Sequence, residues 1–207
     1  GVPAALAFSG VLAAIALGLA AIVSPVAAGI VAGYAALNLG YSLGAKRVAV
    51  LDVFMIAGGF MLRLLAGTLG VGIAPSQWLV LCGVMITLFL GFVKRRAEVI
   101  ALDQGSGAHR ASLAEYTPAL LDNMITISAA GVIVTYSLYT VSPETVALHQ
   151  TDHLVLTLPF VLYGMFRYLL LLHSRGGGGD PARDLLTDPH LAFAALGWLA
   201  VTLVLIG

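Results

Sequence analysis

Charge is scarce in this sequence. Of 207 residues only 10% are Asp, Glu, Lys or Arg, while 60% are hydrophobic and mean hydropathy is +1.01. A soluble domain carries about 25% charged residues. A water-facing surface cannot be assembled from so few, so most of the surface must meet lipid. The ten basic and ten acidic residues cancel, and with no basic excess nothing points to a nucleic-acid partner. A single cysteine, Cys82, excludes an internal disulfide. Residues Gly1 to Ala45 contain no charge at all, and no initiator Met opens the chain. A cleavable secretory signal needs a basic stretch before a short apolar core, so none is read here. The abrupt apolar start predicts an N-terminally incomplete chain. Period-2 alternation is absent, which argues against strands. Gly-rich phosphate loops, triad signatures, heptad seams and internal repeats are missing too.

What the chain does have is apolar segments of membrane-spanning length, roughly 20 residues each. Seven are expected, at about 3–23, 26–44, 50–70, 76–94, 118–141, 154–173 and 190–206. The fold class is therefore all-α, a polytopic transmembrane helical bundle forming one domain over residues 1–207. Ser24-Pro25 divides the first two spans, because proline lacks a backbone donor and ends the preceding helix. Gly58, Gly59, Ala66 and Gly67 give the third span a small-residue surface suited to close packing. Basic residues then set orientation. Lys46, Arg47, Lys94, Arg95, Arg96, Arg110, Arg175 and Arg183 fall in alternate connections, and the intervening ones hold no Lys or Arg. By the positive-inside rule that side is cytoplasmic, with Gly1 inside and Gly207 outside.

Candidate chemistry gathers on the basic side. Tyr41, Lys46 and Asp52 flank the connection between the second and third spans. The ordinary role of such residues is an interfacial anchor. Arg63 lies about 20 Å into the third span at 1.5 Å per residue. An arginine at that depth is costly and is expected to face a partner or a polar cavity. Asp52 and Arg63 are close to three helical turns apart and share a face. Lys94, Arg95 and Arg96 could simply neutralise a helix C-terminus, but they also suit a phosphate or pyrophosphate ligand. Glu98 could orient them. Asp180, Asp184 and Asp188 recur every fourth residue, a spacing that can place oxygen ligands for magnesium on one helical face. A solvated loop with a short amphipathic turn is the plainer reading. His149 and His153 share i,i+4 spacing, but on the outer side, where zinc is not expected.

Particular residues also carry a family resemblance. Tyr41-Ser42, Lys46, Leu51-Asp52-Val53, Gly59-Phe60, Leu62-Arg63 and Ala66-Gly67 are followed by Lys94-Arg95-Arg96, Glu98, Tyr116, Leu121-Asp122 and Tyr136 to Tyr139. Leu158 to Gly164, Arg167-Tyr168, Gly179-Asp180-Pro181 and Asp188 complete the series. From about residue 34 to the end, this order resembles the decaprenyl-phosphate phosphoribosyltransferases, a branch of the UbiA prenyltransferase superfamily. Aromatic prenyltransferases of that superfamily carry a second Asp-rich motif where this chain has Lys94 to Glu98.

The resemblance implies a nine-helix enzyme that moves 5-phosphoribose from phosphoribosyl pyrophosphate to decaprenyl phosphate for cell-wall arabinan (arabinogalactan) synthesis. It implies catalytic or positioning roles for Asp52, Arg63 and Glu98, and substrate binding by Tyr41, Lys46, Lys94, Arg95 and Arg96. It implies Mg2+ as cofactor and a plasma-membrane location. The family's Asn-Asp-x-x-Asp-x-x-x-Asp metal motif is absent from this chain, whose first helix would correspond to the family's third. Expected partners are the membrane, the polyprenyl phosphate and the sugar donor, with a homo-oligomer left open. The alternatives are a UbiA-type enzyme using a prenyl diphosphate donor, a transporter with Arg63 and Arg167 lining an anion path, and a non-enzymatic assembly element.

Overall fold

The computed structural model describes residues 1–103, 111–175 and 179–207, apart from the side chains at 2, 3, 5, 6, 103, 111 and 175. Arg110 and the Arg175 side chain, both named above, lie outside the described residues. The described residues form nine α-helices joined by short 3-10 turns, with no strand among them. The helices are α1 (Val2–Val23), α2 (Pro25–Leu43), α3 (Leu51–Gly67), α4 (Gln77–Asp103), α5 (Pro118–Val141), α6 (Pro143–His149), α7 (Leu158–Arg175), α8 (Pro181–Thr187) and α9 (Pro189–Ile206). Six stretches are long and apolar enough to cross a bilayer, namely those built on α2, α3, α4, α5, α7 and α9. The described apolar part of α1, Ala7–Val23, falls short of that length. Large apolar side chains point outward, including Ile22 and Val204, each 82% exposed. Such a surface suits lipid and not water. The chain is a multi-pass helical membrane protein.

Helix starts follow a repeated chemistry. Ser24, Thr117, Ser142, Asp180 and Asp188 each cap a helix through their side-chain oxygen, and each is followed by proline in the first turn. Proline needs no hydrogen-bond acceptor there and its φ is already helical, while the cap satisfies an orphan N–H for about 1 kcal/mol. The expected boundary at Ser24-Pro25 is found. The fourth span departs from expectation. Its apolar run predicts an end near residue 94, yet α4 continues to Asp103. Ala97 to Leu102 contain no helix breaker, and an Arg95–Glu98 pair one turn apart supports the extension. The short helices α6 and α8 occupy connections read as loops.

Contacts divide the chain into two compact units, Gly1–Pro75 and Ser76–Gly207. In the first, α2 packs between α1 and α3. Gly58 and Gly59 face Leu37 and Tyr34 of α2, so that a Cβ on Gly58 would stand 3.1 Å from Leu37. The Ser24 hydroxyl donates to the Gly70 carbonyl at 2.7 Å, tying the 3-10 turn Leu69–Val71 to the start of α2. In the second unit, α4 packs along α5 and α7 along α9. Gly131 admits Met85, and Gly197 admits the Phe160 ring, whose Cδ1 would lie 2.7 Å from an added Cβ. The apolar interior holds Val93, Leu121, Ile125 and Leu172. Hydroxyls inside the spans bond back to their own helix, as Ser128 does to Met124 and Thr135 to Gly131. Such bonds lower the cost of a polar group among hydrocarbon. Trp198 donates to Tyr136 at 2.6 Å, and Tyr136 meets Thr157 at 2.6 Å, linking α9, α5 and the turn before α7.

Candidate functional site

In the first unit, Lys46 sits half-buried in the 3-10 turn Ala45–Arg47, and Asp52 is fully buried in the first turn of α3. Between them Val50 adopts φ 66° and ψ −49°, with Leu51 N–H donating to the Ala49 carbonyl at 2.7 Å. This is a γ-turn of the rare strained hand, on a β-branched residue that disfavours it. Such strain persists only where the surroundings enforce it. Here it fixes the entry of α3, and with it the position of Asp52.

Farther along α3, Arg63 is exposed within its span. Its guanidinium donates to the Tyr34 hydroxyl and lies over two rings, 4.9 Å from the Tyr34 centroid and 5.9 Å from that of Phe60. These residues line a cleft of about 250 Å³ between α2 and α3, together with Leu37, Asn38, Tyr41, Met55, Ile56 and Gly59. Tyr41 and Arg63 therefore share a cavity, whereas Lys46 and Asp52 do not line it. Tyr34 and Asn38 escaped the sequence reading. Their signal was available: Tyr34, Asn38 and Tyr41 recur at i, i+4 and i+7, a polar stripe on an otherwise apolar helix.

In the second unit, the cation trio does not act as one cluster. Successive helical residues are rotated by about 100°, so Lys94 is exposed while Arg95 and Arg96 turn inward to 2% and 8% exposure. Arg95 pairs with Glu98 at 2.6 Å. Arg96 donates to Asp122 of α5 at 2.5 Å and to the Leu172 carbonyl of α7 at 3.2 Å. Asp122 also lies 3.6 Å from His173. Arg96 thus fastens three helices together, and Asp122 is the partner that sequence spacing alone could not supply, 26 residues away.

Of the three aspartates named as weak metal candidates, two are helix caps. Asp180 caps α8 through the Arg183 N–H at 3.1 Å. Asp188 receives a two-pronged bond from Arg167, at 3.1 and 2.8 Å, and caps α9 through the His190 and Leu191 N–H groups. The Arg167 hydrogen bond, with help from those backbone donors, holds the Asp188 carboxyl down to about 2. Arg167, which the transporter alternative sets along an anion path, is paired with Asp188. Asp184 lies in the first turn of α8. Among the described residues no three His, Cys, Asp or Glu side chains gather in a metal-binding group. The donor set for magnesium is therefore not met by these residues. His149 pairs with Tyr139 at 3.3 Å and His153 with Asp152 at 2.9 Å, so the two histidines have separate partners. A second cavity, of about 420 Å³, lies among α4, α5, α7, α8 and α9 and is lined almost wholly by apolar side chains such as Phe89, Phe160 and Trp198.

The class defined by these features is a multi-pass helical membrane protein whose spans carry buried arginines and an arginine-bearing polar cleft. No family model matches the chain. It is similar to the decaprenyl-phosphate phosphoribosyltransferase of Corynebacterium glutamicum, 34% identical over 170 residues, covering 80% of this chain and 50% of that protein. Proteins of the same name from Mycolicibacterium smegmatis and Mycobacterium tuberculosis are 31% and 30% identical over 82% and 81% of this chain, and 55% and 54% of their own lengths. The chain spans about half the length of the curated relatives it matches.

Proposed function

We propose that this protein is a membrane phosphoribosyltransferase of the UbiA type, transferring 5-phosphoribose from phosphoribosyl pyrophosphate to a polyprenyl phosphate such as decaprenyl phosphate. One observation carries the reading: about four-fifths of the chain aligns with three enzymes of that name. The membrane-spanning fold fits a substrate whose tail is hydrocarbon. The segregated basic residues support a cytoplasmic active face in the plasma membrane, with Gly1 inside and Gly207 outside. A role in cell-wall arabinan synthesis belongs to the same proposal.

In the reaction, a phosphate oxygen of the lipid forms a bond to the anomeric carbon of ribose. The bond from that carbon to the pyrophosphate oxygen breaks, and pyrophosphate leaves with the electron pair. The acceptor is already ionised, so no strong base is required. The protein's task is to place the two anions together and to offset charge developing on the leaving group. Lys46 and Lys94 are the less committed cations. Arg95 pairs with Glu98 inside α4, Arg96 with Asp122 ties α4 to α5, and Asp52 is a positioning group at the start of α3.

Protein in membranes should be incubated with decaprenyl phosphate and either phosphoribosyl pyrophosphate or a prenyl diphosphate, and the lipid product weighed by mass spectrometry. A lipid carrying an added pentose phosphate supports the proposal. A prenylated product formed only from the second donor would replace it with the prenyltransferase reading.

A further inference from the structure

Arg63 is an unusual expenditure for a membrane helix. It stands four residues before the end of α3, within the apolar stretch Leu51–Val71, exposed, and among the described residues its guanidinium bonds to Tyr34 alone. A guanidinium has five N–H donors, so most of its hydrogen-bonding capacity is unspent where water is scarce. A hydroxyl and two aromatic faces temper the charge but do not neutralise it. The other buried or intramembrane arginines each hold a carboxylate: Arg95 holds Glu98, Arg96 holds Asp122 and Arg167 holds Asp188. Arg63 is the exception to that pattern. It is also the arginine that lines a cavity in the first unit, with Asn38, Tyr34 and Tyr41 as further polar groups and Leu37, Met55 and Ile56 as an apolar wall.

From this geometry we propose that the cleft between α2 and α3 is an oxyanion site that takes a substrate phosphate, with Arg63 as the charged ligand and Tyr34, Asn38 and Tyr41 as neutral hydrogen-bonding groups. Arginine presents paired donors that match a phosphate edge, and the ring faces keep the guanidinium in place before the anion arrives. The apolar wall suits a phosphate attached to a hydrocarbon chain. The same chemistry would also receive one end of a soluble pyrophosphate. The inference deepens the function proposed above by giving one substrate phosphate a location, but it stands on the cleft and is tested without turnover.

The protein in nanodiscs is titrated with three radiolabelled probes: farnesyl monophosphate, inorganic pyrophosphate, and farnesol as an uncharged control. Farnesyl monophosphate binding should weaken about tenfold or more in Arg63→Gln, the loss of one charge-assisted contact. Arg63→Lys should recover part of it, and Tyr34→Phe should weaken it less. Farnesol binding should not respond to any of these changes. If pyrophosphate affinity falls instead, the site stands and belongs to the soluble anion. Equal affinity for both anions in wild type, Arg63→Gln and Tyr34→Phe overturns it. Should Arg63→Gln fail to fold, Arg63→Lys and Tyr34→Phe decide by the same criterion. Arg63-dependent binding without any phosphoribosyl transfer would keep the site while removing the proposed reaction.

Discussion

At the scale of the residue, adjacent arginines take different duties because a helix turns them to different sides. Arg96 is committed to Asp122 and to a carbonyl on α7, so its loss should be felt first as instability. Breaking a fully buried pair costs about 3–5 kcal/mol, and less here because the Asp122 side chain is 29% exposed. Arg96→Gln and Asp122→Asn should each lower the unfolding midpoint in detergent. Their double mutant should lose less than the sum, since the partners couple. Strict additivity would show that the pair carries no coupling energy.

A second residue-scale prediction concerns acid. The Asp188 carboxyl titrates at about 2 in the folded protein, largely because of its Arg167 bond, against about 3.9 in an unfolded chain. A depressed folded value means the ionised form favours folding. This contribution is complete above about pH 4 and disappears as pH falls towards 2. Thermal midpoints measured from pH 5 to pH 2 should fall less steeply in Asp188→Asn than in wild type, from a lower starting value at pH 5. Parallel curves would contradict the assignment.

At the scale of the element, close helix packing rests on single glycines. The Phe160 ring of α7 fills the space over Gly197 of α9, leaving no room for a methyl group. Gly197→Ala should push ring or helix aside and cost about 1–3 kcal/mol, the usual range for overpacking. Phe160→Leu in the same background should return part of the loss in mixed-micelle unfolding. Element boundaries were largely legible in the sequence because apolar length, Ser-Pro and Asp-Pro starts and glycine pairs are local signals. The end of α4 was not: three cations resembled a terminus, whereas the Arg95–Glu98 pair belongs to a continuing helix. The candidate site was legible in its residue types, with Tyr41 and Arg63 meeting in one cleft. Its pairings were not, because Asp122 and Tyr34 reach their arginines across 26 and 29 residues. The aspartates at 180, 184 and 188 are regularly spaced, and the spacing alone did not show that the first and last cap successive helices.

At the scale of the whole molecule, low charge, outward apolar side chains and hydroxyls bonded back to their own helices all follow from lipid as the solvent. Placed in that solvent, the similarity to polyprenyl-phosphate enzymes acquires a physical sense, since donor and acceptor can meet only at the boundary between water and hydrocarbon. Transfer itself is the most direct measurement. Membranes containing this protein should be given phosphoribosyl pyrophosphate labelled in the ribose, with decaprenyl phosphate. Label should enter the organic phase as a lipid-linked phosphoribose while an equal amount of pyrophosphate is released. Label confined to water, with or without pyrophosphate release, would contradict the proposed function.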